Sequence, residues 1–169
     1  MEKRLFNTFQ IENRLIDLSD TLNDKYPSNM DAKSAPVLSP ILQGGVTFFS
    51  DLSRFLLFDA YVDYIGISSY NGKSQGSFDL YKAWNVSIQD RDVWLIDDIA
   101  DSGNTLAYLE KLAYSKGANH VYKAVLLRRK TCMLDLDFSG FDLDDEWVFG
   151  YGMDHPNGLG RLSDCIYQV

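Results

Sequence analysis

Apolar residues at Ile11, Leu15, Leu18 and Leu22 recur at steps of four, three and four. That spacing is one face of an α-helix and predicts an N-terminal helix ending before Pro27. Tyr26 to Pro36 is rich in Pro, Ser, Asn and Asp and reads as a loop. Val37-Leu38-Ser39-Pro40-Ile41-Leu42 is an apolar run closed by Gln43-Gly44-Gly45, the pattern of a buried strand feeding a glycine turn. Pro40 counts against it, because a central strand uses every backbone N–H. Val46, Phe49, Leu52 and Leu56 trace a second amphipathic helix.

Asp63 to Ser69 reads as another strand. Asn71 to Ser77 follows with almost nothing to bury and two glycines, so Tyr70 to Phe78 is expected to be poorly ordered without ligands and to close over a site. Val93-Trp94-Leu95-Ile96 is wholly apolar and turns abruptly acidic at Asp97-Asp98, as expected of a central parallel strand buried on both faces. Leu106, Leu109, Leu112 and Ala113 mark the next helix, with Gly117 placed to end it. Val121 to Leu127 is a further strand running into Arg128-Arg129-Lys130, and short strands are expected around Trp147-Val148-Phe149 and Cys165-Ile166-Tyr167. Strands alternating with helices imply an α/β fold with a mostly parallel central sheet, five-stranded or slightly larger, flanked by helices. No internal repeat or second domain is evident, so residues 1–169 read as a single unit.

Composition narrows the function classes. The 169-residue chain is 46% apolar and 24% charged, which fits a globule able to bury a core. Its net charge of −8 argues against nucleic acid or an anionic membrane surface as partner. Cys132 and Cys165 stand alone, which suits reduced thiols better than a disulfide framework or a thiolate metal site. No stretch reaches the ~18 apolar residues of a membrane helix. The N-terminus lacks an apolar core for a secretory signal, so a cytoplasmic protein is expected.

The chemistry concentrates in Leu95-Ile96-Asp97-Asp98-Ile99-Ala100-Asp101-Ser102-Gly103-Asn104-Thr105-Leu106. A buried strand delivers two adjacent acids and a third, then a Ser-Gly-Asn-Thr turn opens a helix. Backbone N–H groups at a helix N-terminus bind phosphate, and the hydroxyls of Ser102 and Thr105 add donors. The carboxylates before the turn suit hydroxyls or hydrated Mg²⁺. In open α/β sheets, ligands bind beyond the carboxyl ends of the strands, where this turn lies.

This stretch resembles the phosphoribosyl-pyrophosphate signature of the type I phosphoribosyltransferases. Other segments are similar to the hypoxanthine–guanine (6-oxopurine) branch. They are Leu42-Gln43-Gly44-Gly45 with Phe48-Phe49-Ser50-Asp51-Leu52, the pair Ser69-Tyr70, Trp147 through Asp154, and Arg161-Leu162. The resemblance implies the type I phosphoribosyltransferase fold, with a small hood built from the N-terminal region and the C-terminal segment. It also implies transfer of phosphoribosyl from phosphoribosyl pyrophosphate to N9 of hypoxanthine or guanine, with Mg²⁺ required, in a homodimer or homotetramer.

The resemblance also implies residue roles. Asp97 and Asp98 would lie at the ribose hydroxyls and their metal, and Asp101 would accept the proton from purine N7. Ser102, Gly103, Asn104 and Thr105 would cradle the 5-phosphate, and Gln43, Gly44 and Gly45 would form the pyrophosphate loop. Ser69 and Tyr70 would belong to the flexible loop. Trp147 would stack on the purine, and the Val148 backbone would read the group at C2. Asp154 would hold a second Mg²⁺, and Arg161 would bind pyrophosphate. Four positions depart from the family pattern: Ser102 stands where Thr is common and Asn104 where Lys is often seen, and, of more consequence, Arg129 stands where Lys reaches the purine 6-oxygen and Gln43 where Lys is common. A regulatory protein on the same fold, binding nucleotide without catalysis, is the rival; the negative charge and the intact Asp101 weigh against it. A Mg²⁺-dependent phosphohydrolase built on the acid pair would not account for the ordered Trp147 to Asp154 segment.

Overall fold

A computed structural model describes residues 2–69 and 78–169, with the backbone alone at Ser69. Tyr70 and the expected lid through Ser77 lie outside the described residues. The elements run β1 (Lys3–Phe6), α1 (Thr8–Lys25), β2 (Val37–Leu42), α2 (Gly45–Leu52), β3 (Tyr61–Val62), β4 (Ile65–Ser69), β5 (Phe78–Lys82) and β6 (Asp92–Ala100). They continue with α3 (Asn104–Ser115), β7 (His120–Arg129), β8 (Phe138–Leu143), β9 (Val148–Phe149) and β10 (Ile166–Gln168). A short 3-10 turn, Ser53–Phe55, follows α2.

The main sheet has seven strands in the order β5-β4-β2-β6-β7-β8, with β3 also pairing β2. Every pairing is parallel except β4 with β5. Period-two alternation sorts the strands' side chains onto two cores. Leu38, Trp94, Ile96, Ala124 and Leu126 pack with α1 and α2, whose apolar faces are Ile11, Leu15, Leu18 and Leu22, and Phe48, Phe49 and Leu52. Val37, Ile41, Val93, Leu95, Val121 and Val125 pack with Leu106, Leu109 and Ala113 of α3. Each fully buried Leu or Ile contributes roughly 1.5–3 kcal/mol through the water it sheds. The helix starts are specified locally: the Asn7 side chain accepts from the Gln10 N–H at 2.9 Å, while Gln10 Oε1 accepts from the Asn7 N–H at 3.0 Å.

Pro40 sits inside a central strand and opens a gap on one flank of the ladder, while the other flank stays paired with β6. The carbonyls of Pro36 and Leu38 accept from β3 and the residue after it, so strand alternation aims the Pro40 nitrogen to that same side. There β3 pairs only as far as Leu38, and β4 takes over at Ile41. The register is the same on both sides of that break, so β3 and β4 are separated where the absent Pro40 N–H would have paired.

Several boundaries differ from the sequence reading. The acid pair is not beyond its strand, because β6 runs through Asp97 and Asp98 to Ala100 and stays paired with β7 to Arg128. β7 likewise absorbs Arg128 and Arg129, so the basic run is not wholly a solvated loop. The second helix stops at Leu52 rather than reaching Leu56. β4 begins at Ile65, not Asp63; Asp63 is buried and pairs with Lys82 at 2.7 Å. The last strand is shifted by one residue, to Ile166–Gln168. β1, β3, β5 and β8 lie outside the strands expected from sequence. β1, β10 and β9 form a separate three-stranded antiparallel sheet, which joins the two ends of the chain beside Trp147.

Candidate active site

Parallel strands place their carboxyl ends on one edge of the sheet, and the chemistry-bearing side chains gather there. Asp97 and Asp98 lie in the last turnings of β6 and are half-buried. Burial pushes the Asp97 carboxyl well above the usual range, and the neighbouring negative charge of Asp98 adds to the shift. Asp98 is also raised by burial, opposed by hydrogen bonds to its carboxylate and by the more distant charge of Arg161. Neither carboxylate has a Lys or Arg within ion-pair distance among the described residues.

After Ala100 the chain turns through Asp101-Ser102-Gly103 into α3. Gly103 has φ +80°, and a side chain there would also meet Leu134 Cβ at 2.8 Å and Cys132 Sγ at 3.0 Å. Glycine is required on both counts. The Ser102 hydroxyl accepts from the Asn104 N–H at 3.4 Å. The opening N–H groups of α3, including that of Thr105, have no intrahelical acceptor and form an anion-receptive end. The structure thus brings Ser102, Gly103, Asn104 and Thr105 into one cradle beside the acid pair.

The Gln43-Gly44-Gly45 turn lies across the same edge. It follows a cis Leu42–Gln43 peptide and leads into α2. Gly44 lies directly against Asp98: a Cβ there would fall 1.9 Å from Oδ2. Gly45 is equally tight, with the Ile96 carbonyl 2.6 Å from a would-be Cβ. Gln43 itself is exposed.

A cavity of about 160 Å³ opens beside the acids, lined by Asp98, Ile99, Asp101, Arg129, Trp147, Val148, Met153 and Asp154. The β6–β7 register sets Ala100 opposite Arg128, which carries Arg129 alongside Asp101. Arg129 Nε lies 2.8 Å from Asp101 Oδ1. Lys130 instead points outward to Asp144, at 2.6 Å, so the cation facing the cavity is Arg129. Trp147 stands on the rim, 57% exposed, while Val148 is buried in β9. Asp154 pairs with Arg161 at 3.0 Å, and Arg161 also donates to the Gly152 carbonyl. Gly152 in turn packs on the Gln43–Gly45 turn, leaving no room for a side chain between it and the Gly44 carbonyl. Ser69 closes β4 with its side chain outside the description, and Tyr70 lies outside the described residues altogether.

Ile99 and Met153 complete the cavity wall and were missed by sequence reasoning, although both lie inside motifs that were recognised. Asp51 was quoted only as part of a helix motif; it accepts from the Tyr151 hydroxyl at 2.8 Å and ties α2 to the Gly150–Gly152 turn. No sequence signal marked that contact.

No group of three or more His, Cys, Asp or Glu able to hold a metal exists among the described residues. Asp97 and Asp98 therefore supply a partial donor set. Partly desolvated and without a basic partner among the described residues, they fit a divalent cation of the Mg²⁺ type, which would draw its remaining ligands from other oxygens.

Three comparisons bear on this arrangement. The hypoxanthine-guanine phosphoribosyltransferase of Lactococcus lactis is 29% identical over 166 residues, covering 96% of this chain and 90% of that protein. A hypoxanthine phosphoribosyltransferase from Staphylococcus aureus superposes with a TM-score of 0.89 at 28% identity, over 99% of this chain and 90% of that one. The Trypanosoma cruzi enzyme in complex with the product IMP gives 0.89 at 25% identity, over 98% and 92%. A model of the phosphoribosyl transferase domain matches residues 3–156, and the chain belongs to that family.

Proposed function

We propose that this chain transfers the phosphoribosyl group of phosphoribosyl pyrophosphate to N9 of hypoxanthine or guanine, giving the purine mononucleotide and pyrophosphate. The observation that carries this reading is one cavity that joins an aromatic rim and an arginine to the acid-bearing end of β6, from which the chain turns directly into the open start of α3. That juxtaposition suits a planar base, a ribose and a phosphate in line. The named relatives and the IMP-bound neighbour support the choice of a 6-oxopurine.

The reaction builds positive charge on the ribose and negative charge on the departing pyrophosphate. The α3 N–H groups with Ser102 and Thr105 hold the 5-phosphate, and Gly44 and Gly45 offer backbone donors to the pyrophosphate, aided by Arg161. Asp97 and Asp98 accept from the ribose hydroxyls and would hold Mg²⁺, and Asp154 would hold a second ion. Bound Mg²⁺ would offset the charge of the leaving pyrophosphate. Asp101 takes the N7 proton as N9 bonds to the sugar, and the second carboxylate oxygen, not paired with Arg129, is available for it. Trp147 stacks on the base, the Val148 backbone reads the C2 side, and Arg129 donates to the C6 oxygen. An arginine only donates, so a 6-amino group meets hydrogens on both sides.

Residues 1–169 are read as one working unit, with the β1-β10-β9 sheet as its hood, acting in the cytoplasm as a homodimer or homotetramer. Among the described residues, no helix is long and apolar enough to cross a membrane. The test is a panel of hypoxanthine, guanine, xanthine and adenine with phosphoribosyl pyrophosphate and Mg²⁺. Mononucleotide from hypoxanthine or guanine, and none from adenine, is expected. Binding of phosphoribosyl pyrophosphate with no turnover of any base would favour a regulatory role.

A further inference from the structure

Arg129 makes more contacts than recognition of one carbonyl oxygen needs. One terminal nitrogen, Nη1, donates to the backbone carbonyls of Asp144 and Glu146, each at 3.0 Å. Nε forms the 2.8 Å ion pair with Asp101. Nη2 has no protein partner among the described residues, and the side chain lines the cavity. The exposures are unequal: the Arg129 side chain is 13% exposed and that of Asp101 74%. The guanidinium is therefore the fixed member of the pair, and the carboxylate is the one that would otherwise sample several rotamers.

We infer that Arg129 is a positioning residue for Asp101. Seated on two backbone carbonyls just before Trp147, it holds the carboxylate against the cavity and leaves Nη2 for the substrate oxygen. This rests on the reading of the site as a 6-oxopurine phosphoribosyltransferase. One planar group then sets three things in register: the segment leading to the stacking tryptophan, the oxygen edge of the base and the proton acceptor. A lysine cannot reproduce this. Its donors radiate from a single nitrogen, which cannot sit on two carbonyls, a carboxylate and a ligand oxygen at the spacing of a guanidinium fork.

The test is a kinetic cycle on hypoxanthine with Arg129→Lys, Asp101→Asn and the double variant. Arg129→Lys should keep the KM for hypoxanthine within about fivefold, since the ammonium still donates, while kcat falls about tenfold or more through lost alignment. In the Asp101→Asn background the same change should lower kcat by less than about threefold, because the residue it positions is already disabled. Losses that multiply in the double variant, or a loss confined to KM, would overturn the inference. Arg129→Ala is a second variant should the first fail to fold. Its kcat should recover with added guanidinium ion and not with ammonium ion; equal recovery with both, or with neither, would also overturn it. A wild-type protein inactive on every 6-oxopurine would instead sink the functional reading, and the inference with it.

Discussion

Gly44→Ala separates folding from function at this site. Gly44 has φ −62° and ψ −43°, a right-handed helical conformation that alanine adopts without strain. The new methyl group would lie 1.9 Å from Asp98 Oδ2 and 2.3 Å from its Cγ. Contact distances between such atoms start near ~3.5 Å, so the carboxylate must retreat by about 1.5 Å. Asp98 can do this by rotating its short side chain, and stability should change by no more than about 1 kcal/mol, a few degrees in Tm. The metal and ribose contacts cannot follow. A displacement of ~1 Å in a positioned group costs on the order of 10²-fold, so kcat/KM for phosphoribosyl pyrophosphate should fall about 100-fold. Steady-state kinetics at saturating Mg²⁺ and base, with a parallel thermal melt, read both quantities. Gly158→Ala is the control: nothing lies within 4 Å of its would-be Cβ and its φ is +82°, so it should cost about 1–2 kcal/mol of stability with activity unchanged. A Gly44→Ala protein with full activity would refute the reasoning, as would one whose loss is explained by unfolding.

Asp101→Asn should lower kcat by ~10²–10⁴-fold with phosphoribosyl pyrophosphate binding nearly unchanged, measured by calorimetry and single-turnover kinetics. Trp147→Ala removes a half-exposed ring, so Tm should hold while base affinity falls by roughly 1–3 kcal/mol, read as a raised KM for hypoxanthine. The raised carboxyls of Asp97 and Asp98 give a pH signature. Groups whose folded pKa lies above the unfolded value add stability that is complete below the unfolded pKa and lost as pH rises through the folded one. Melts in chelator should therefore lose this contribution as pH climbs above the ordinary carboxylate range. Mg²⁺ should raise Tm more at pH 8 than at pH 5; an equal rise at both would contradict the assignment.

The alternating fold was legible because its signals are local: the helical steps of Ile11 to Leu22, the apolar run of Val93 to Ile96, and the glycine after α3. The acid-rich turn was legible for the same reason, since one contiguous stretch carries strand, acids and helix start. β1, β3, β5 and β8 were not. Lys3–Phe6 becomes a strand because Ile166–Gln168, at the far end of the chain, pairs with it. Phe78–Lys82 and Phe138–Leu143 are edge strands that gain their state from β4 and β7. Pro40 proved an obstacle on one flank only: it separates β3 from β4, while β2 stays paired with β6 on the other side. The Asp101–Arg129 pair depends on the β6–β7 register, and the Asp51–Tyr151 bond spans 100 residues. Contacts of this kind belong to topology rather than to spacing.

The most direct test of the central claim is a crystal structure of the protein with Mg²⁺ and a 6-oxopurine mononucleotide. The account places the base in the cavity behind Trp147, with N7 within hydrogen-bond distance of the Asp101 carboxylate and the C6 oxygen on Arg129 Nη2. The 5-phosphate should lie on the first turn of α3. A base bound elsewhere, or turned so that neither Asp101 nor Arg129 reaches it, would contradict the account.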